Sequence, residues 1–248
     1  MLVDTHCHIH ETYELPIGEV LQRADAEGVN QMVCVGTSEE SSELAISFAE
    51  AHDNVFASIG VHPHDTKDGY AKIATLAGSS EKIIAVGEIG LDYFYTHSPR
   101  DLQIEALKAQ LDIAVKHDLP VIFHVREAFD DFWPIFEQYE GLRGVLHSFT
   151  DSKENMERAV AKGLYIGVNG ISTFTKDEMQ KAMFDAIPLD RILFETDAPF
   201  LTPTPYRGKI NEPAYVRIVA EFHAQRRGIS LDEIAEASSS NARALFNL

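Results

Sequence analysis

The chain of 248 residues has only two cysteines, no excess of basic residues and no long apolar run. Two cysteines, Cys7 and Cys34, do not suggest a disulfide scaffold, and we expect both to be small buried residues. No stretch approaches the roughly 20 apolar residues that cross a bilayer. The amino terminus also lacks a basic segment followed by an apolar one, so we expect no signal peptide. These absences favour a cytoplasmic protein that does not enter a membrane.

The charge balance is strongly acidic, with 21 Lys and Arg residues against 39 Asp and Glu and a net charge of −18. Proteins that coat nucleic acid tightly and without sequence preference usually have a basic surface, so this charge disfavours that function. An acidic protein can still bind a phosphate at one locally positive mouth, above all where metal ions are present.

Apolar, strand-like runs alternate with amphipathic stretches along the whole chain, which has no internal repeat or linker. The runs are near-continuously apolar, as expected of parallel strands that are buried on both faces. Eight such strands with helices between them predict an α/β protein with a (β/α)8 TIM barrel, formed by one domain over residues 1–248. The predicted strands cover residues 2–7, 31–35, 55–60, 83–87, 120–124, 143–147, 164–168 and 191–194.

The clearest predicted helix covers residues 101–117, where apolar side chains recur at helical spacing before Asp118-Leu119-Pro120 ends it. A proline-containing loop from Phe200 to Pro213 is the longest irregular segment. Helices over residues 213–227, 231–237 and 239–246 are expected to complete the fold.

Imidazole and carboxylate side chains stand where five of the apolar runs end. Side chains two apart in a strand point to the same side, so His6 and His8 face together. Residues at the carboxyl ends of barrel strands meet at one mouth, where catalytic residues of this fold lie. The six donors singled out by this argument are His6, His8, Glu88, His124, His147 and Asp197.

A donor set without thiolate suits zinc, manganese, iron, nickel or magnesium. Six donors are too many for one catalytic metal with an open position, and they suit two metals about 3.5–4 Å apart that share a carboxylate. We assign Glu88 as that bridge. Two divalent ions outweigh the charges of Glu88 and Asp197, so the site attracts an anion, and a phosphoryl group fits better than a neutral amide.

Some of these residues also have simpler interpretations. A single histidine such as His124 or His147 at the end of an apolar run is more often a hydrogen-bonded core residue, and only the five coincident matches favour ligation. Glu195, which follows the last apolar run, has two equal explanations: a further side chain at the mouth, or a structural partner of a neighbouring strand. For His62 and His64, which follow the third predicted strand, we favour a supporting or substrate contact over metal binding. Loop or helix-face histidines without a chemical role are expected at His10, His52, His97, His117 and His223.

Several segments resemble the signature blocks of the TatD family of metal-dependent hydrolases, and the resemblance covers the whole chain. The segments are Asp4-Thr5-His6-Cys7-His8, Gly60-Val61-His62-Pro63-His64, Gly87-Glu88-Ile89-Gly90-Leu91-Asp92-Tyr93, residues 119–126, residues 144–149, residues 195–201, residues 205–213 and residues 241–246. Two departures are Ile9-His10, where the family commonly has leucine and aspartate, and Phe200, where a tyrosine is frequent. Neither departure touches the donor set.

The resemblance implies a barrel of the amidohydrolase-superfamily type and two divalent metals on the six donors named above. It also implies deoxyribonuclease activity, often the removal of nucleotides from the 3′ ends of single strands. The nucleic acid is then DNA as a substrate, and no protein partner is inferred.

For that chemistry we predict that Glu88 and Asp197 are catalytic, with Asp197 orienting a water and accepting its proton. Arg126 or His62 would meet charge on the phosphoryl oxygens. Arg207 and Lys209 are candidates for flanking phosphates and are equally explained as solvated loop cations. The aromatic segment of residues 93–95 could stack a base or simply pack its loop.

Two other functions compete with the nuclease. The same activated water attacks a carboxylic ester, lactone or amide, and the acidic surface slightly favours that substrate class. The third hypothesis is no enzyme at all but a barrel that holds metals for stability or serves as a partner's scaffold. Loss of a donor would favour it, and none is lost.

Overall fold

The structure is a computed structural model that describes residues 1–95 and 97–248. Eight strands follow one another in chain order within one sheet, with helices between them. This order confirms the predicted (β/α)8 barrel. The strands are β1 (Leu2–Cys7), β2 (Val29–Val35), β3 (Val55–Ile59), β4 (Ile83–Asp92), β5 (Val121–Arg126), β6 (Gly144–Leu146), β7 (Tyr165–Val168) and β8 (Ile192–Phe194).

Most helices begin at a side-chain cap or end at a left-handed residue. Ser38, Ser152 and Ser230 each accept a hydrogen bond from a backbone N–H in the first turn of the helix that follows. Asp118 and Gly228 adopt left-handed conformations at the ends of two other helices. The helices are α1 (Ile17–Ala26), α2 (Glu39–Glu50), α3 (Ile73–Leu76), α4 (Arg100–His117), α5 (Phe129–Phe136), α6 (Lys153–Ala161), α7 (Ile171–Phe174), α8 (Glu178–Ala186), α9 (Val216–Arg227) and α10 (Leu231–Phe246).

The helix predictions are confirmed for α4 and corrected at the end of the chain. Residues 231–237 and 239–246 form one continuous helix, α10, and the expected break between them is wrong. The helix continues through Ser238 and Ser239, which are buried and whose hydroxyls bond to the backbone of Phe194 and Met1. The predicted helix over residues 213–227 begins with a short 3-10 turn, Pro213–Tyr215, before α9.

The chain divides into two compact units, residues 1–33 with 148–248 and residues 34–147. In the first unit, β1 lies beside the segment that follows β8. The backbone N–H of Asp197 donates to the carbonyl of His6 at 2.9 Å, and that of His8 donates to Ala198 at 2.7 Å. These bonds place Asp197 beside the two histidines of β1, as the strand order predicted.

In the second unit, strands β3 to β6 pair in parallel, and β4 is longer than predicted. It runs to Asp92, so the expectation that Glu88 follows the end of a strand is wrong. The pairing shifts between Val86 and Ile89, where three steps along β4 face two along β5. Such a bulge re-aims a side chain, and Glu88 lies within it.

The segment after Glu88 depends on a glycine. Gly90 lies opposite His124 with φ +156°, and a Cβ there would stand 1.7 Å from the His124 carbonyl oxygen. Only glycine allows β4 to approach this part of β5 so closely.

Both cysteines are buried thiols, as expected. Within residues 1–95 and 97–248, no helix has both the length and the apolar character needed to span a bilayer. The single domain over residues 1–248 stays a prediction.

His223 is a fully buried histidine of α9, although its position suggested an unremarkable helix face. Its Nε2 lies 3.0 Å from the Ser172 hydroxyl, and its ring packs near Phe184 and Phe194. Burial, with a smaller contribution from the charge of Arg227, lowers the pKa of His223 to about 3. The folded protein therefore holds this imidazole in its neutral form.

We expect this histidine to make the fold sensitive to acid. The unfolded chain binds its proton near pH 6.5, whereas the folded chain does so only near pH 3, so stability present at neutral pH is lost as the pH falls. One such group lowers the free energy of unfolding by up to about 1.4 kcal/mol per pH unit below 6.5. Urea unfolding of wild type and His223→Gln at pH 7, 6 and 5 should show a shallower loss for the variant. His117→Gln, at the end of α4, is the control, and parallel losses in all three proteins would contradict the prediction.

Candidate metal centre

The first group of candidate ligands lies in the unit that contains β1 and β8. The Nε2 atoms of His6 and His8 are 3.1 Å apart, and Asp197 Oδ1 lies 3.6 Å from the first and 3.4 Å from the second. Both imidazoles are buried, whereas 15% of the Asp197 side chain is exposed. The three side chains therefore converge on one point that solvent can approach from the side of Asp197.

These spacings fit a bound cation. Two ligand atoms that each lie about 2.0–2.1 Å from one ion are roughly 3.0–3.4 Å apart, depending on the angle between them. The distances among His6, His8 and Asp197 fall in or close to this range. Two imidazole nitrogens and one carboxylate oxygen are donors that zinc, manganese and nickel accept in proteins.

The second group lies in the other unit and is arranged around Glu88. Its Oε1 atom is 2.8 Å from His124 Nδ1, 3.6 Å from His62 Nε2 and 3.8 Å from His147 Nε2. Glu88 is 4% exposed, so one carboxylate with three imidazoles around it is almost shielded from water. His62, Glu88 and His124 offer atoms close enough together to hold an ion.

The ring of His124 lies between two carboxylates, with Asp92 Oδ2 3.0 Å from its Nε2 and Glu88 on its Nδ1. A neutral imidazole carries one N–H, so it cannot donate to both carboxylates at once. Burial alone lowers the pKa of His124, but the bonds to Asp92 and Glu88 outweigh it and raise that pKa. A positive charge between His124 and Glu88 is thus favoured, and a metal ion there would supply it.

Asp92 was not among the predicted site residues, yet it organises this part of the site. Its Oδ2 accepts hydrogen bonds from His124 and from His64, both at 3.0 Å, and it is 1% exposed. Its Oδ1 accepts the backbone N–H groups of Phe94 and Tyr95. These bonds outweigh the effect of burial and lower the pKa of Asp92, which keeps it ionised. A carboxylate behind a ligating histidine fixes the ring and strengthens it as a ligand.

We expect Asp92→Asn to weaken metal binding by about 10- to 100-fold, which is the usual effect of losing such a supporting carboxylate. Titration against a chromogenic chelator measures the affinity. Asp131→Asn is a matched control, because Asp131 bonds Tyr93 and Arg100 at the surface. Equal affinities in wild type and Asp92→Asn would show that Asp92 does not act through His124.

Two other buried carboxylates near the first group have structural roles. Asp4 Oδ1 and Oδ2 accept the backbone N–H and the hydroxyl of Thr196, at 2.8 and 2.6 Å. Burial raises the pKa of Asp4 to about 8, although those bonds oppose the shift. Glu195 accepts the backbone N–H of Ser148 at 2.7 Å. The structural interpretation of Glu195 is thereby favoured.

The predicted cations differ in their surroundings. The Arg126 guanidinium lies 4.0 Å from the ring centroid of Phe94. Arg207 donates to the Thr202 carbonyl at 2.8 Å and stacks on Phe174, so part of its role is to hold its own loop. Lys209 is exposed.

Among the histidines expected to have no chemical role, His10 is buried beside His8, with ring centroids 6.2 Å apart. Burial lowers its pKa to about 3, and the charges of His8 and His6 add to the effect.

Known proteins resemble this chain in sequence and in fold. The family described as TatD related DNase matches residues 3–247. The chain is 39% identical to the uncharacterized metal-dependent hydrolase YabD of Bacillus subtilis strain 168, over all of both chains. It is 36% identical to the 3'-5' ssDNA/RNA exonuclease TatD of Erwinia amylovora, over 93% of each chain. The solved structure of the TatD homologue YjjV of Escherichia coli K12 superposes with a TM-score of 0.92 at 30% identity, covering 100% of this chain and 98% of that one.

A (β/α)8 barrel with two groups of imidazole and carboxylate donors defines a metal-dependent hydrolase. The chain belongs to the TatD-related DNase family, and the resemblance noted in its sequence is confirmed.

Proposed function

We propose that the protein is a deoxyribonuclease that removes nucleotides from the 3′ end of single-stranded DNA with two divalent metal ions. The convergence of His6, His8 and Asp197 at metal-ligand spacing is the observation that carries this proposal. A relative at 36% identity carries the name of a 3'-5' ssDNA/RNA exonuclease, which supports the choice of substrate. DNA is then the substrate that the protein binds.

In this proposal the protein holds two divalent ions. Glu88 would serve as the carboxylate shared by the two ions, and zinc, magnesium, manganese and nickel are all compatible with the donors. When bound, two such ions would make a water more acidic and neutralise charge on the phosphoryl group. The ligands are His6, His8, Glu88, His124, His147 and Asp197.

Asp197 would act as the general base. Its carboxylate is partly exposed, whereas the imidazoles beside it are buried. It can therefore meet a water that enters from solvent, align it for attack on phosphorus and accept its proton.

His62 is suited to contact substrate rather than metal. Its Nδ1 accepts the backbone N–H of His64 at 3.2 Å, so the proton of the neutral ring is on Nε2. Burial, followed by the nearby His124, lowers the pKa of His62 well below its ordinary value. A neutral Nε2–H donor beside Glu88 would bond a phosphoryl oxygen of the substrate.

Arg126 supplies a positive charge near the second donor group, and Arg207 and Lys209 supply charges on the loop after β8. We propose that Arg126 meets charge on the phosphoryl oxygens, whereas Arg207 and Lys209 hold phosphates that flank the scissile bond. The Arg207 guanidinium already donates to the Thr202 carbonyl.

The proposal is tested with a single-stranded oligonucleotide that carries a fluorophore at its 5′ end, incubated with manganese, magnesium, zinc or nickel. A ladder that shortens one nucleotide at a time is the expected result. Release of the label as a mononucleotide would instead indicate the opposite direction. Absence of any cleavage with all four metals would contradict the nuclease.

A second candidate is hydrolysis of a carboxylic ester, lactone or amide, which the net charge of −18 favours because it repels polyanions. Chromogenic phosphodiester, carboxyl ester and lactone substrates, tested with the same metals, separate the two functions. Turnover of the carbonyl substrates alone would support the alternative.

We also propose that the protein works in the cytoplasm. Two buried thiols, Cys7 and Cys34, support a reducing compartment.

A further inference from the structure

We propose that Phe94 and Tyr95, with Arg126 against them, form a stacking platform for a nucleobase next to the scissile phosphodiester. This proposal rests on the proposed function, because it needs a nucleic-acid substrate. Sequence alone left open whether residues 93–95 stack a base or pack their loop. In the structure, the surroundings of Tyr93 differ from those of Phe94 and Tyr95.

Tyr93 has a structural role. Its hydroxyl donates to Asp131 at 2.6 Å, and the Arg100 guanidinium lies 4.5 Å from its ring centroid. Its hydroxyl is therefore held within the fold, and its side chain is less exposed than those of Phe94 and Tyr95.

Phe94 and Tyr95 are among the few large apolar side chains in the described ranges, 1–95 and 97–248, that remain exposed. They are 48% and 42% exposed, and their ring centroids are 4.6 Å apart, edge to face. The Arg126 guanidinium lies 4.0 Å from the first centroid and 5.0 Å from the second. Aromatic faces beside an arginine are the surface on which single-stranded nucleic acids stack their bases.

The platform is tied to the second donor group by one carboxylate. Asp92 Oδ1 accepts hydrogen bonds from the backbone N–H groups of Phe94 and Tyr95 at 3.0 and 2.9 Å. Its Oδ2 accepts a hydrogen bond from His124. The imidazole of His64 lies near both rings, with its centroid 5.5 Å from that of Tyr95 and 6.2 Å from that of His124. A base on the platform would thus belong to a nucleotide at or beside the one being cleaved.

The charge of the protein explains why such a platform would be useful. A net charge of −18 repels a polyanion, so phosphate contacts alone are a poor source of affinity. Stacking involves every base and needs no charge. We therefore expect binding that depends strongly on the presence of bases and little on their identity.

The test compares a ten-residue oligothymidylate with an abasic strand of the same length, both with phosphorothioate linkages that slow hydrolysis. Fluorescence anisotropy with the metal-loaded protein gives the two dissociation constants. Wild type should bind the strand with bases about 5- to 100-fold more tightly. The double variant Phe94→Leu/Tyr95→Leu keeps apolar bulk without π faces, and it should lose this preference while binding the abasic strand as wild type does.

Tyr165→Leu is the matched control, because Tyr165 also lies under an arginine, Arg191 at 5.3 Å, but at the amino end of β7. It should behave as wild type. An unchanged preference in the double variant, with a wild-type circular dichroism spectrum, would overturn the platform.

Hydrolysis of unmodified strands separates the two proposals. Cleavage of strands with and without bases at equal kcat/KM would leave the nuclease standing and refute the platform. Absence of cleavage of any strand by wild type would instead refute the proposed function.

Discussion

Replacing Asp197 by alanine is expected to lower kcat for phosphodiester hydrolysis by at least about 10³-fold. Two losses coincide, since Asp197 is the carboxylate of the first donor group and also the proposed general base. A general base alone contributes about 10²- to 10⁴-fold. The prediction is checked by steady-state kinetics at saturating metal, so that weaker binding of an ion does not by itself explain the loss.

Two further variants sharpen this prediction. Asp197→Asn keeps the shape of the side chain but removes its charge and basicity, so it should be nearly as inactive as the alanine variant. Asp190→Ala changes an exposed carboxylate at the amino end of the same strand, β8, and should retain activity. Near-wild-type kcat in Asp197→Asn would show that the carboxylate is not the base.

Replacing Glu88 by alanine is expected to abolish turnover and to reduce the number of ions that the protein holds. Its Oε1 lies within 3.8 Å of imidazole nitrogens of His62, His124 and His147, so its removal takes away the charge around which the second group is built. A loss of at least about 10³-fold in kcat follows from the disruption of a two-metal site. Kinetics and elemental analysis of the same preparation measure both effects.

The matched control for Glu88 is Glu81→Ala, an exposed carboxylate just before the amino end of β4. It should leave activity and metal content unchanged. A Glu88→Ala protein that retains its metals but not its activity would restrict Glu88 to a catalytic role, and full activity would refute both roles.

Much of the barrel could be predicted because buried parallel strands read as apolar runs, and all eight were found, with bounds close to the observed ones except at the end of β4. From the eight strands it followed that His6, His8 and Asp197 lie together, because a barrel makes its first and last strands neighbours. Periodicity is a property of neighbouring residues, so it serves well for strands and for the long helix α4.

Features that depend on contacts distant in sequence were not predicted. The length of β4 and the bulge at Glu88 depend on the approach to β5, which glycine at position 90 allows. Asp92 resembled a loop residue in the sequence, because nothing local shows that its carboxylate meets His64 and His124. The continuity of α10 depends on partners for its serines elsewhere in the fold.

Metal stoichiometry tests the central claim most directly. The purified protein should be stripped with a chelator, reloaded with manganese or zinc and analysed for metal content and hydrolysis at each stage. We predict two divalent ions per chain, loss of activity on stripping and its return on reloading. Full hydrolytic activity in the stripped protein, or a reloaded and active protein with a single ion, would contradict the two-metal account.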